Sequence, residues 1–98
     1  YKAIHKPLFK SVFLRCIANL ILNDRRYYYD WIYIQKSQSY RHLFFIRALK
    51  YSLRNQTQKA LEEFEKILKI SPNFFKDNDY LIVHIPEELK AIFNLYSL

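Results

Sequence analysis

Ninety-eight residues carry a net charge of +7, and 51% of the side chains are hydrophobic and 18% aromatic, enough apolar surface for one small folded domain and too much for a disordered chain. Glycine is absent and proline occurs three times, which argues against many-stranded sandwiches and glycine-rich phosphate loops, because turns at positive φ lack their usual residue. Cys16 is the single cysteine, so an internal disulfide and a multi-cysteine zinc site are excluded and a reducing, intracellular setting is expected, cytoplasmic first and mitochondrial as the alternative.

The chain opens on Tyr1 and contains no methionine, the pattern of a processed product or a piece of something longer. Pro7 stands where a helix accepts its first residue, and Leu8, Phe9, Val12, Phe13, Cys16, Ile17, Leu20 and Ile21 follow at helical spacing. This apolar run, residues 8 to 22, is interrupted by Lys10 and Arg15 and falls short of a membrane span. It reads as a core helix closed by Asn23 and Asp24. "RRYYYDWIYIQKSQS", residues 25 to 39, suits a strand by its aromatic and β-branched content and a helix by the spacing of Tyr28 with Ile32 or Trp31 with Ile34. A lone strand would lack partners, which favours a helix from about residue 25 to residue 36.

Residues 41 to 54 place Phe44, Ala48 and Tyr51 on one stripe and Arg47, Lys50 and Arg54 on the next, a third amphipathic helix. Asn55, with Gln58 three residues on, is positioned to cap a fourth helix running to Ile70. The apolar face of that helix is Ala60, Leu61, Phe64, Ile67 and Leu68. Glu62 with Lys66 and Glu65 with Lys69 are spaced as favourable pairs, and the glutamates including Glu63 are expected to face water. Ser71 and Pro72 close it. Residues 73 to 85 are compatible with a short strand or a helical turn; Asp77 and Asp79 lack the glycine and distal glutamate of a calcium loop and read as capping or solvated. Pro86, Glu87 and Glu88 begin a last helix, expected over residues 86 to 97, with Leu89, Ile92, Phe93 and Tyr96 as its apolar face.

The pair of helices at 41 to 54 and 58 to 70 resembles a tetratricopeptide repeat, a helix-turn-helix unit of about 34 residues. Phe44 stands at the family's large first-helix position, Ala48 at a small one, Tyr51 at an aromatic one, Ala60 and Phe64 at the small and large positions of the second helix, and Pro72 at the terminal proline. Ile67 departs from the small residue usual at its place. Residues 9 to 37, set against this unit at an offset of thirty-five, bring Phe9, Phe13, Cys16, Tyr29 and Ile32 under Phe44, Ala48, Tyr51, Phe64 and Ile67, a degenerate helix pair over 8 to 37. The stretch "DWIYIQKSQSYRHLFFIRALKYS" also resembles the half-a-tetratricopeptide repeats of RNA-processing complexes, through Trp31 and through Arg41 with "FFIRAL"; it lacks their acidic residue after the tryptophan helix. Either resemblance implies an all-α fold of about five helices, a single domain built as a short antiparallel helix-pair solenoid with repeat 41 to 72 best matched and the last helix as its cap.

The resemblance implies a partner-binding groove at His42, Phe45, Ile46, Leu49, Ser52 and Leu53, suited to an apolar helix or peptide. Family members that clamp acidic chaperone tails use lysine and asparagine at such positions, which Phe45 and Leu49 do not supply. No pattern of nucleophile, base or metal ligands emerges: His5, His42 and His84 have no ligand spacing, and no cofactor or metal is expected. The expected role is a non-enzymatic protein-interaction or scaffold module, a subunit or piece of a larger assembly. Charge supplies the alternative. Residues 1 to 59 hold twelve Lys or Arg against two acids, a balance of +10, and residues 60 to 98 hold four against seven, a balance of −3. Arg25, Arg26, Arg41, Arg47, Lys50 and Arg54, with Tyr27 to Tyr29 for stacking, would serve RNA in a ribonucleoprotein assembly. Contact with an anionic membrane surface has no anchor in the sequence.

Overall fold

The computed structural model describes residues 5–95, with side chains described from residue 9 onward. The described residues form an all-helical fold, with no strand among them. Four principal helices follow one another: α1 (His5–Ile21), α2 (Tyr27–Lys36), α3 (Tyr40–Leu53) and α4 (Thr57–Ile70). A one-turn α5 (Phe74–Asp77), a 3-10 turn over Asp79–His84 and α6 (Glu87–Ile92) complete the described fold. The ambiguous segment at 25 to 39 is thus helical, and the segment at 73 to 85 is two short helical turns. The expected cap over 86 to 97 ends as a helix at Ile92; its Tyr96 lies outside the described residues.

With no glycine available, asparagine closes α1 and α3. At Asn23 (φ 57°) the amide N–H donates to the Leu20 carbonyl at 3.0 Å, and the next amide, of Asp24, donates to Asn19 at 2.7 Å. Asn55 (φ 59°) repeats the arrangement, donating to Ser52 at 3.1 Å while Gln56 donates to Tyr51 at 2.9 Å. Both are left-handed Schellman ends, which asparagine tolerates because its short amide eases the Cβ clash. Asn55 therefore ends α3 instead of capping α4, whose N-cap is Gln56 without a side-chain capping bond. Gln38 (φ 62°) takes the same region between α2 and α3, at a cost of about 1 kcal/mol.

The connections of a few residues force neighbouring helices to run antiparallel. In the α1–α2 pair, Cys16 Sγ lies 3.6 Å from the Tyr27 carbonyl, Arg15 meets Asp30, and Phe9 packs near Tyr33, so α1 descends as α2 climbs. In the α3–α4 pair, Lys59 sits over the Tyr51 ring, Arg47 meets Glu63, and Lys66 sits over the Phe44 ring. The second pair forms the most extensive interface, the first the next, and α3 also packs on both α1 and α2. Ala48 and Ala60 are fully buried in the α3–α4 pair, where large side chains would hold the helices apart.

Phenylalanines knit the pairs together. Phe45 of α3 lies 6.0 Å from Phe13 of α1, 6.1 Å from Phe64 of α4 and 6.2 Å from Phe75 of α5, ring centroid to ring centroid. Phe64 also meets Phe93, just past α6, at 6.0 Å, and Thr57 Oγ1 donates to Glu88 Oε1 at 3.3 Å, so the final segment covers α4. Val12, Phe13, Cys16 and Ile17 of α1 are buried as their spacing predicts, whereas Ile21 is exposed, as is Ile92 of α6. The offset of thirty-five between the two pairs does not survive in α2. Tyr29, expected to match the buried Phe64, is exposed, and α2 turns Asp30 and Ile34 inward in its place.

Asp30 is the unexpected core polar group. At 4% exposure it accepts two charge-assisted bonds from Arg15, Nη2 to Oδ1 at 2.7 Å and Nε to Oδ2 at 3.0 Å. This fork ties α1 to α2, and the bond and charge of Asp30 hold the Arg15 guanidinium above its ordinary value.

Candidate functional site

The predicted groove is occupied by the chain itself. Phe45, Ile46 and Leu49 are buried, and the side of α3 that carries Phe45 and His42 is met by Phe13 of α1 and by Phe74 of α5. His42 is half-buried among Phe9, Phe13 and Phe74, at 5.1, 4.7 and 5.5 Å, with its Nδ1 on the Ser39 hydroxyl. Burial, helped by the nearby Arg41 charge, lowers its pKa to about 4, so the ring is neutral at physiological pH. Ser52 Oγ is buried and has no hydrogen-bond partner among the described residues, and only Leu53 of the six groove residues is exposed. The correction has a plain cause: α1 and α5 cover positions that a repeat array would leave facing a groove.

The remaining positions of the best-matched repeat divide in the same way. Ala48, Ala60 and Phe64 are core, Phe44 and Tyr51 are partly buried beneath lysines, and Pro72 is exposed in the turn after α4. Glu63 overturns the expectation of a wet glutamate. It is 4% exposed, with Lys66 Nζ at 3.0 Å from Oε2 and Arg47 Nε at 3.4 Å from Oε1. Lys66 thus turns to Glu63 instead of the expected Glu62, and the Glu65–Lys69 pair does not form among the described residues.

An open cleft lies along the next stripe of α3, against α2, with Ile46 at the boundary. Tyr27, Tyr28 and Trp31 of α2 face Ile46, Arg47, Lys50, Tyr51 and Arg54 of α3 around a volume of about 360 Å³. A second hollow of about 450 Å³ continues from it across shared Tyr27, Lys50 and Arg54 to Ile21, Arg25 and Leu53. The local reason is spacing. Arg47, Lys50 and Arg54 fall three and four residues apart on one stripe of α3, and Tyr27 and Trp31 are four apart on α2. Lys50 Nζ rests 5.8 Å from the Tyr27 ring centroid, which holds its charge at the cleft, and it makes no ion pair among the described residues.

Of the six basic residues expected to act together, the fold gathers Arg25, Arg47, Lys50 and Arg54 around this cleft. Arg26 is turned away by a fork to Asp24, with contacts from 2.7 to 3.1 Å, whose bonds lower the Asp24 pKa to about 2. Arg41 projects into solvent from the first turn of α3, beside His42 and on another face of the helix from Lys50. Tyr51, read from the sequence as a packing residue, and Trp31, read as the tryptophan of the half-a-tetratricopeptide resemblance, are cleft walls. Their signal was the i, i+4 pairing of Tyr27 with Trp31 beside a cationic stripe.

No group of three His, Cys, Asp or Glu side chains among the described residues is arranged to hold a metal ion, and no described helix is long and apolar enough to cross a membrane. Asp77 and Asp79 are exposed, and the local bond there comes from Asn78, whose side-chain amide donates to the Phe74 carbonyl at 2.8 Å. Burial first, and the Asp30 charge second, push the Cys16 thiol up to about 12, which leaves it without nucleophilic thiolate. Compared with known proteins, the chain matches no family model, no curated protein and no solved structure.

Proposed function

We propose that the chain is a non-enzymatic protein-interaction module of the tetratricopeptide-like class, acting as a scaffold within a larger assembly in a reducing, intracellular setting. Support for the class comes from the succession of antiparallel helices, from α3 resting on both members of the preceding pair, and from Ala48 and Ala60 at the α3–α4 crossing. The observation that carries the interaction role is apolar surface left uncovered at one end of the molecule. Ile21, Leu22 and Leu53 are exposed, Leu22 by 74% and Leu53 by 47%, where the ends of α1 and α3 adjoin the cleft. Apolar groups held out in water beside a preformed concavity fit a partner that covers them.

Affinity capture from nuclease-treated native lysate, with the parent chain and a Leu22→Glu/Leu53→Glu variant, tests the reading. Proteins retained by the parent and lost by an equally stable variant are expected. An identical set on both would overturn it.

RNA contact is the second reading, favoured by Tyr28 and Tyr29, which are exposed beside Arg25 and Arg26. Complete loss of the captured material on nuclease treatment would put this reading first.

A further inference from the structure

The cleft between α2 and α3 has a floor, walls and a rim of different chemistry. Ile46 forms an apolar floor, Tyr27, Trp31 and Tyr51 the aromatic walls, and Lys50 and Arg54 the rim, with Arg25 on the adjoining hollow. Its volume of about 360 Å³ lies at the small end of ligand sites, room for an anchoring side chain and not for a folded element. The rim charges are unspent: Arg25, Lys50 and Arg54 make no ion pair among the described residues. The carboxylates nearby are already engaged, Asp24 by Arg26 and Glu63 by Arg47 and Lys66. The field at the mouth is therefore positive, and an approaching anion meets no bare carboxylate. Flanking Ile21 and Leu53 add aliphatic surface, which a peptide side chain gains from and a phosphodiester backbone does not.

We infer that this cleft docks an acidic peptide segment, with one aromatic or large aliphatic side chain inserted between Trp31 and Tyr51 and flanking carboxylates on Lys50, Arg54 and Arg25. The inference rests on the interaction-module reading and names its partner's chemistry. It places recognition on the Lys50–Arg54 stripe of α3, next to the stripe of His42 and Phe45 where the core leaves no room, with Ile46 and Leu53 of the predicted groove at the boundary between the two.

Trp31 is the only tryptophan in the chain, so its emission reports occupancy of the cleft. The probe is a synthetic peptide of alternating Glu and Ser with one central Phe, titrated into the full chain. Controls replace the Phe by Ser, or every Glu by Gln, and oligouridine is titrated in parallel. A saturable change in Trp31 emission is expected with the acidic Phe peptide, weakened roughly tenfold or more by loss of the Phe or of the acidic charge. A Lys50→Glu/Arg54→Glu variant is expected to weaken binding by a similar factor. The single Arg54→Gln change, at an exposed position near the end of α3, gives a smaller loss should the double variant misfold. No saturable change up to about 1 mM peptide, equal binding of the Ser control, indifference to Arg54, or binding of oligouridine in preference to the peptide would each overturn the inference. If the peptide fails while lysate capture still depends on Leu22 and Leu53, the cleft assignment alone falls. If capture fails as well, the interaction reading falls with it.

Discussion

Two sides of the same helix meet opposite fates. The Phe45 side of α3, with His42 and Leu49, is apolar in sequence and is buried by Phe13, Phe74 and Phe75 arriving from α1 and α5. The Lys50 side, with Arg47 and Arg54, is charged in sequence and forms one wall of an open cleft against α2. The difference teaches that an apolar stripe is a docking groove only where no other segment of the chain covers it. A one-turn helix some thirty residues downstream of Phe45 joins α1 in converting it into core, because Phe74 and Phe75 bring two large rings within one turn.

The sharpest way to break the comparison is to treat Phe45 as if it were surface. Phe45→Ala removes the ring that joins α1, α4 and α5, and is expected to cost about 3–5 kcal/mol, a large part of the stability of a small domain. Urea denaturation of parent and variant checks it. A cost below about 1 kcal/mol would mean that the Phe45 side is an open groove after all.

His42 offers a smaller handle on the same side. Its folded pKa of about 4 lies below its ordinary 6.5, so between those values the unfolded chain binds a proton that the folded chain refuses. The stability this ring contributes is complete above pH 6.5 and is lost as pH falls through the window towards 4. The part-exposed ring discounts the full shift, and a loss of roughly 1–2 kcal/mol is expected between neutral and mildly acidic pH. Chemical denaturation at several pH values, parent against His42→Phe, isolates the effect. Parallel pH dependence in the two proteins would show that the ring is solvated and the phenylalanine cage open.

The smallest effect belongs to the Lys50 side. Arg54→Ala removes an exposed charge that makes no ion pair among the described residues, and its stability should stay within about 0.5 kcal/mol of the parent. A larger loss in the same denaturation measurement would move Arg54 from the free rim of the cleft into the structural framework.

Much of the fold was legible because it is local. The periodicity of Val12, Phe13, Cys16 and Ile17, and of Ala60, Phe64 and Ile67, follows directly from 3.6 residues per turn, and those residues are buried. A helix from about residue 25 to residue 36 follows from asking where a lone strand would pair, and the structure forms it from Tyr27 to Lys36. Three details were hidden, one a local choice of backbone and two dependent on distant partners. Asn55 reads as an N-cap until its φ is known. Glu63 reads as solvated until Arg47 approaches from α3. Asp30 carries no signal of burial in its own stretch, because the Arg15 that forks onto it lies fifteen residues earlier.

The candidate site divides along the same line. Sequence alone located the cations and tyrosines, since Arg47, Lys50 and Arg54 fall on one stripe whatever the tertiary arrangement. It could not separate Arg25, Lys50 and Arg54 from Arg26 and Arg41, because that depends on which charge finds a carboxylate and which faces α2. Helical spacing, charge and the class of fold are properties of short stretches of chain, and the sequence determined them. Whether an apolar stripe becomes core or groove, and whether cations meet or scatter, was decided by the packing of segments far apart in sequence, where burial in the assembled fold outweighs any local preference.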